Sequence, residues 1–128
     1  MNSATKEKLL KIALAVFGVI FLLVYPVGLV WPAGWVWHGG HGEYYLQMIC
    51  TIYVVLGIFL IMAARNPAQH RSLIGFTIWS SAAHAAVMAA QVFADGHEMG
   101  HLLGDVPALF LVAIVLAYLN HGASADRA

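Results

Sequence analysis

The sequence predicts an all-α polytopic membrane protein, a four-transmembrane-helix bundle in a single domain with both termini cytoplasmic. Three observations carry this. The chain has 128 residues, of which 62% are apolar and 9% charged, far from the usual globular balance of about half apolar and a quarter charged. Four apolar stretches, at residues 9–31, 45–64, 73–94 and 101–119, divide it, and a spanning helix needs about 20 apolar residues. All six Lys and Arg residues, Lys6, Lys8, Lys11, Arg65, Arg71 and Arg127, fall before or at the start of the first stretch, between the second and third, or after the fourth. Basic residues in short connections mark the cytoplasmic side, so the other two connections face outward. A multi-pass protein of the bacterial inner membrane is the expected setting.

The first stretch opens on Lys residues and an apolar run longer than that of a secretory signal, and it ends in Tyr25-Pro26 and Trp31-Pro32 without a small-residue cleavage site, which favours an uncleaved helix. Proline removes a backbone donor and crowds the preceding turn, so a kink is expected near Pro26 and Gly28. Trp31, Trp35, Trp37, Tyr44 and Tyr45 surround the first outer connection. Aromatic rings with a polar edge settle at the headgroup level, and an interfacial belt is their ordinary reading.

The second stretch contains Cys50, the only cysteine. That excludes an internal disulfide and a thiolate metal cluster, and the ordinary role for such a residue is a small buried apolar side chain. Residues 65–72 read as a short polar turn with Ser72 as N-cap of the third helix. The third stretch is rich in small residues between Ser80 and Ala90. Small residues let membrane helices approach closely, so this helix is expected at the centre of the bundle, with oligomer or partner contacts through 73–94. Near its middle stands His84, and an ionisable residue at that depth is a functional hypothesis by default. Thr77, Ser81, His84, Met88, Gln91 and Asp95 form a stripe at helical spacing, with Glu43, Gln47, Cys50 and Thr51 as a possible facing set. Three roles for His84 stay open: a structural imidazole bonded to Ser or Thr, a ligand to a metal, haem or pigment, or a proton relay.

The outward connections hold no Lys or Arg. They hold His38, His41, Glu43, Asp95, His97, Glu98, His101 and Asp105. Imidazole and carboxylate suit Zn, Cu or Fe, and neither connection alone closes a four-coordinate shell. His97, His101 and Asp105 stand at i, i+4 and i+8, one face if the segment is α-helical. His97-Glu98-Met99-Gly100-His101 resembles the zinc-binding His-Glu-x-x-His signature of metalloproteases, in which the Glu is a general base. Glu98-x-x-His101 has the spacing of di-iron carboxylate bundles. A chain this short leaves no room for a peptidase cleft, and the three glycines at 96, 100 and 104 disfavour a helix. The bland alternative is that these are polar residues of an interface.

Three functions are therefore expected in competition. The first is a transition-metal site at the outer face, from His97, His101, His41, His38, Glu43, Glu98 and Asp105, serving redox chemistry or metal handling. The second is an accessory subunit of a larger membrane complex, with His84 structural or holding a haem or pigment. The third is a small proton- or metal-coupled transporter. No basic, aromatic-interleaved patch suggests nucleic acid, and His70 and His121 receive no role.

Overall fold

A computed structural model describes residues 2–36 and 42–124. Among the described residues there are six α-helices, two 3-10 helices and no strand. In chain order they are α1 (Ser3–Leu22), α2 (Val24–Val30), α3 (Pro32–Trp35), α4 (Gly42–Ala63), α5 (Arg71–Ala94) and α6 (Asp105–Ser124), with 3-10 helices at Pro67–Gln69 and Gly96–Leu102. Three segments are long and apolar enough to cross a membrane: Tyr44–Ala63, Arg71–Ala94 and Gly96–His121, with mean hydropathies of 2.4, 1.4 and 2.3. The pair α1 and α2, bent by 55°, supplies a fourth if it counts as one span. Large apolar side chains turned outward, among them Val16, Ile52, Phe59, Trp79, Leu111 and Ile114, are compatible with contact to lipid.

The bend between α1 and α2 falls at Leu23, three residues before Pro26 and not at it. A proline at position i has no N–H for the carbonyl at i−4, and its ring crowds that carbonyl. The carbonyl in question is that of Leu22, the last residue of α1. Below the bend, α1 begins earlier than its hydropathy suggests, because the Asn2 side chain accepts the Thr5 N–H at 2.8 Å and caps it at Ser3.

The helices stand in the order α4, α1, α6, α5, each packed on the next. α1 and α4 cross where Gly18 meets Gly57. A Cβ on Gly57 would lie 2.6 Å from the Gly18 carbonyl oxygen, and one on Gly18 would lie 2.7 Å from that of Gly57, so neither position has room for a side chain. Leu10, Leu14, Leu60, Ile74 and Leu116 fill the core nearer the terminal end. The expectation of a central third helix is corrected. Within the chain α5 flanks the bundle, packed on α6 and the second 3-10 helix, and it turns Phe76, Trp79, Val87 and Phe93 outward. Of its small residues, Ser81 and Ala85 are buried. The Ser72 cap is also corrected: His70 precedes α5, with no side-chain cap bond.

α6 starts at Asp105, so Pro107 lies in its first turn, where the missing N–H removes no helical bond. Residues 96–102, expected in the fourth span's first turns or just before them, form a 3-10 helix. α3 lies against that segment. A Cβ on Gly100 would collide with the carbonyl of Ala33, and one on Gly104 with the carbonyl of Gly34. Backbone therefore packs on backbone where the connection between α2 and α4 meets the one between α5 and α6. Glycine is needed there for the close approach.

Candidate functional site

The 3-10 geometry of Gly96–Leu102 decides which chemical groups meet. With three residues per turn, positions i and i+3 eclipse and positions i and i+4 diverge by about a third of a turn. Glu98 and His101, three apart, therefore stack, while His97 and His101 separate. The His97 side chain is 94% exposed and the His101 side chain 0%. The expected pairing of His97 and His101 on one face is corrected on this ground. His97 instead folds back on Asp95, whose carboxylate accepts the His97 backbone N–H at 3.0 Å and stands 3.1 Å from its Nδ1. The backbone N–H, and then the imidazole, hold the Asp95 carboxyl below its ordinary range.

His101 is fully enclosed between two buried carboxylates. Its Nδ1 lies 2.9 Å from both oxygens of Asp105, and its Nε2 lies 3.3 Å from Oε2 of Glu98. Each partner comes from a different local cause. Glu98 is placed by the 3-10 repeat, and Asp105 occupies the first turn of α6, where the helix dipole favours negative charge. Burial of an ionic group is costly unless it is paired, and here one imidazole faces two acids. With both carboxylates ionised, a proton on His101 leaves one net negative charge; a second proton neutralises the triad.

The two carboxylates of the triad line different spaces. Glu98 lines a groove open to the surface, bounded by Val87, Met88, Gln91 and Asp95. Asp105 lines a cavity of about 140 Å³ inside the bundle, walled mainly by Phe17, Phe21, Tyr53, Leu109 and Val112. His84 borders both spaces. Its Nδ1 lies 3.1 Å from the Tyr53 hydroxyl of α4. α4 and α5 barely touch through their backbones, so this bond spans the gap between them.

Tyr53 replaces the Ser or Thr partner expected for His84. Of the facing set proposed on α4, Cys50 is buried against the cavity, whereas Gln47 and Thr51 are exposed, and the Thr51 hydroxyl is spent on the Gln47 carbonyl at 2.8 Å. On α5, Thr77 likewise bonds its own Leu73 carbonyl, and the stripe emerges to the surface at Gln91 and Asp95. Trp35 departs from the expected belt: it lines the cavity, and its Nε1–H is buried with no acceptor among the described residues. Trp31, Tyr44 and Tyr45 remain exposed.

His38 and His41 lie outside the described residues, as does the Glu43 side chain. Among the described residues, no group of three or more His, Cys, Asp or Glu side chains is arranged to hold a metal ion. Tyr53 was missed by sequence reasoning, although Leu46, Ile49, Cys50 and Tyr53 at spacings of three and four mark one helical face.

No curated protein and no solved structure matches this sequence. A family profile covers residues 4–128, nearly the whole chain, and on that basis the chain belongs to the family described as Family of unknown function (DUF6632).

Proposed function

We propose that this is a small multi-pass protein of a bacterial inner membrane in which Glu98, His101 and Asp105 carry protons between the outer surface and the interior cavity, as part of a proton-coupled activity. The observation that supports the reading most directly is the placement of the triad across two spaces, with Glu98 on the groove and Asp105 on the cavity. An imidazole between two carboxylates accepts a proton at one nitrogen and releases one from the other. The bias of Lys and Arg supports an outward triad.

Infrared difference spectra of the detergent-purified protein across a pH titration test this. A protonated-carboxyl band lost in Asp105→Asn should titrate differently in Glu98→Gln and in His101→Gln. If that band titrates identically in the wild type, in Glu98→Gln and in His101→Gln, the three groups do not exchange protons and the reading is wrong.

A second reading, a Cu, Zn or Fe site, draws support from one specific arrangement. A carboxylate on one imidazole nitrogen is what commonly orients a metal-bound histidine. Asp105 holds Nδ1 in that way, and Nε2 and the Glu98 oxygen, 3.3 Å apart, are near enough to share an ion. His38, His41 or Glu43 would complete the shell. Stoichiometric metal retained after desalting, and lost in His101→Ala, would select this reading. Haem or pigment at His84 is less favoured, because about 140 Å³ falls short of the roughly 300–1,000 Å³ typical of ligand pockets.

A further inference from the structure

The open groove that Glu98 lines has two chemically distinct ends. It offers about 840 Å³, inside the roughly 300–1,000 Å³ typical of small-molecule sites. Along the second half of α5 its wall is Ala83, Val87 and Met88; past the close of α5 it is Asp95 and Glu98. Ala83 and Val87 are exposed on a helix long and apolar enough to cross a membrane. One end of the groove is therefore within reach of lipid, and the acidic end lies beyond the span.

The charges at the acidic end select an occupant. Asp95 faces the His97 imidazole and Glu98 that of His101. No Lys or Arg lines the groove among the described residues, and the sequence holds none between Arg71 and Arg127. The Glu98 side chain is only 6% exposed, and a buried carboxylate is costly unless opposite charge meets it. A phospholipid headgroup would bring its phosphate against two carboxylates, with no basic side chain to receive it. A neutral apolar molecule would leave the acidic end without a complement. A molecule with one positive charge on an apolar body complements both ends.

We propose that this groove binds a lipophilic monocation, its apolar body against Ala83, Val87 and Met88 and its positive charge beside Asp95 and Glu98. The site shares Glu98 with the proton path but does not rest on it. Proton exchange is read from the Asp105 carboxyl band with no cation present, and cation binding is read at one fixed pH, so either can fail alone.

The test uses the full chain in an uncharged detergent and radiolabelled tetraphenylphosphonium, with tetraphenylborate, of like size and opposite charge, as the control. Equilibrium dialysis against protein-free micelles reads binding. The cation should bind saturably and the anion should not. Glu98→Gln should weaken binding about tenfold and Asp95→Asn about threefold, the exposed charge being the better screened. Ala83→Leu, at an exposed position, narrows the apolar end and should also weaken binding, which keeps the test decisive if Glu98→Gln folds poorly. Phe76→Leu, in the separate apolar groove between α4 and α5, should bind as the wild type does. No saturable binding of the cation, or equal binding of the anion, would reduce the effect to partition into an apolar surface. Unchanged affinity in Glu98→Gln, Asp95→Asn and Ala83→Leu alike would put the cation elsewhere. Displacement by phosphatidylethanolamine would make the occupant a lipid headgroup. Disulfide-linked dimers through Ala83→Cys in a Cys50→Ser background, formed equally with and without the cation, would give the groove to a second copy. Each of these results overturns the proposal.

Discussion

The two ends of the bundle carry ionisable groups in opposite ways. At the end shared by Ser3 and the close of α6, charges are solvated. Lys11 pairs with Glu7 at 3.1 Å across one exposed helical turn, and the Lys6 ammonium sits 4.5 Å above the Tyr118 ring. At the other end Glu98, His101 and Asp105 are all buried. Exposed pairs contribute about 0–1 kcal/mol because water competes for both partners. Breaking a buried group of charges costs about 3–5 kcal/mol, because the survivors stay buried without compensation. A protein held together by apolar packing has no structural need for the second arrangement, which is why the triad, and not the lysines, is the place to look for function.

The sharpest way to break the comparison is to ask which end faces outward, where the expected result is all or none. In a Cys50→Ser background, a cysteine at exposed Met99 should react with an impermeant maleimide added to intact cells. One at exposed Gln69, beside Arg65 and Arg71, should react only after permeabilisation. Reversed labelling would put the triad on the cytoplasmic side and remove its access to external protons.

Next in size is the energetic asymmetry itself. His101→Ala leaves the Glu98 and Asp105 carboxylates facing an empty site, and should lower stability at neutral pH by about 3–5 kcal/mol. Lys11→Ala should lower it by less than about 0.5 kcal/mol. Denaturant unfolding in a fixed detergent measures both. Equal losses would mean that the two ends are solvated alike.

The packing that seals the triad end should come third. Gly100→Ala and Gly104→Ala each place a methyl group into an α3 carbonyl. Such overpacking costs about 1–3 kcal/mol. Because α3 carries Trp35, both variants should also change the fluorescence of that ring. Gly75→Ala, where a Cβ meets nothing within 4 Å, is the matched control and should be neutral or slightly stabilising.

Much of this architecture was legible in the sequence, and the failures have common physical roots. Hydropathy and charge located the long helices because those signals are sums over many residues. Pro26 announced a bend, although the break falls at Leu23, next to the Leu22 carbonyl that the missing donor would have met. The site was harder. His97, Glu98 and His101 were recognisable as chemistry, but their grouping depended on whether the segment repeats every 3.0 or every 3.6 residues. That choice is tied to a tertiary contact, the packing of α3 on Gly100 and Gly104, which no local pattern reveals. Tyr53 was overlooked because a tyrosine among apolar residues looks like core. Trp35 was assigned to the belt because composition does not say which of several clustered rings turns inward.

The smallest expected effect concerns Asp95, the carboxylate at the triad end that behaves like the groups at the other end. It is fully exposed and accepts the His97 backbone N–H, an interaction that holds its folded-state pKa below the unfolded one. A depressed carboxylate contributes its stabilisation in full above the unfolded pKa, and the contribution fades only as pH falls through the folded value. Between pH 7 and pH 5 the carboxyl is ionised in both states, so nothing should be lost in that window. Asn at this position also caps a helix well. Wild type and Asp95→Asn should therefore show the same change in melting temperature from pH 7 to pH 5. Any acid sensitivity in that range that both proteins share, and that Glu98→Gln or Asp105→Asn alters, then belongs to the buried triad. A sensitivity that disappears in Asp95→Asn alone would mean that the exposed pair, and not the enclosed one, is what responds to external pH.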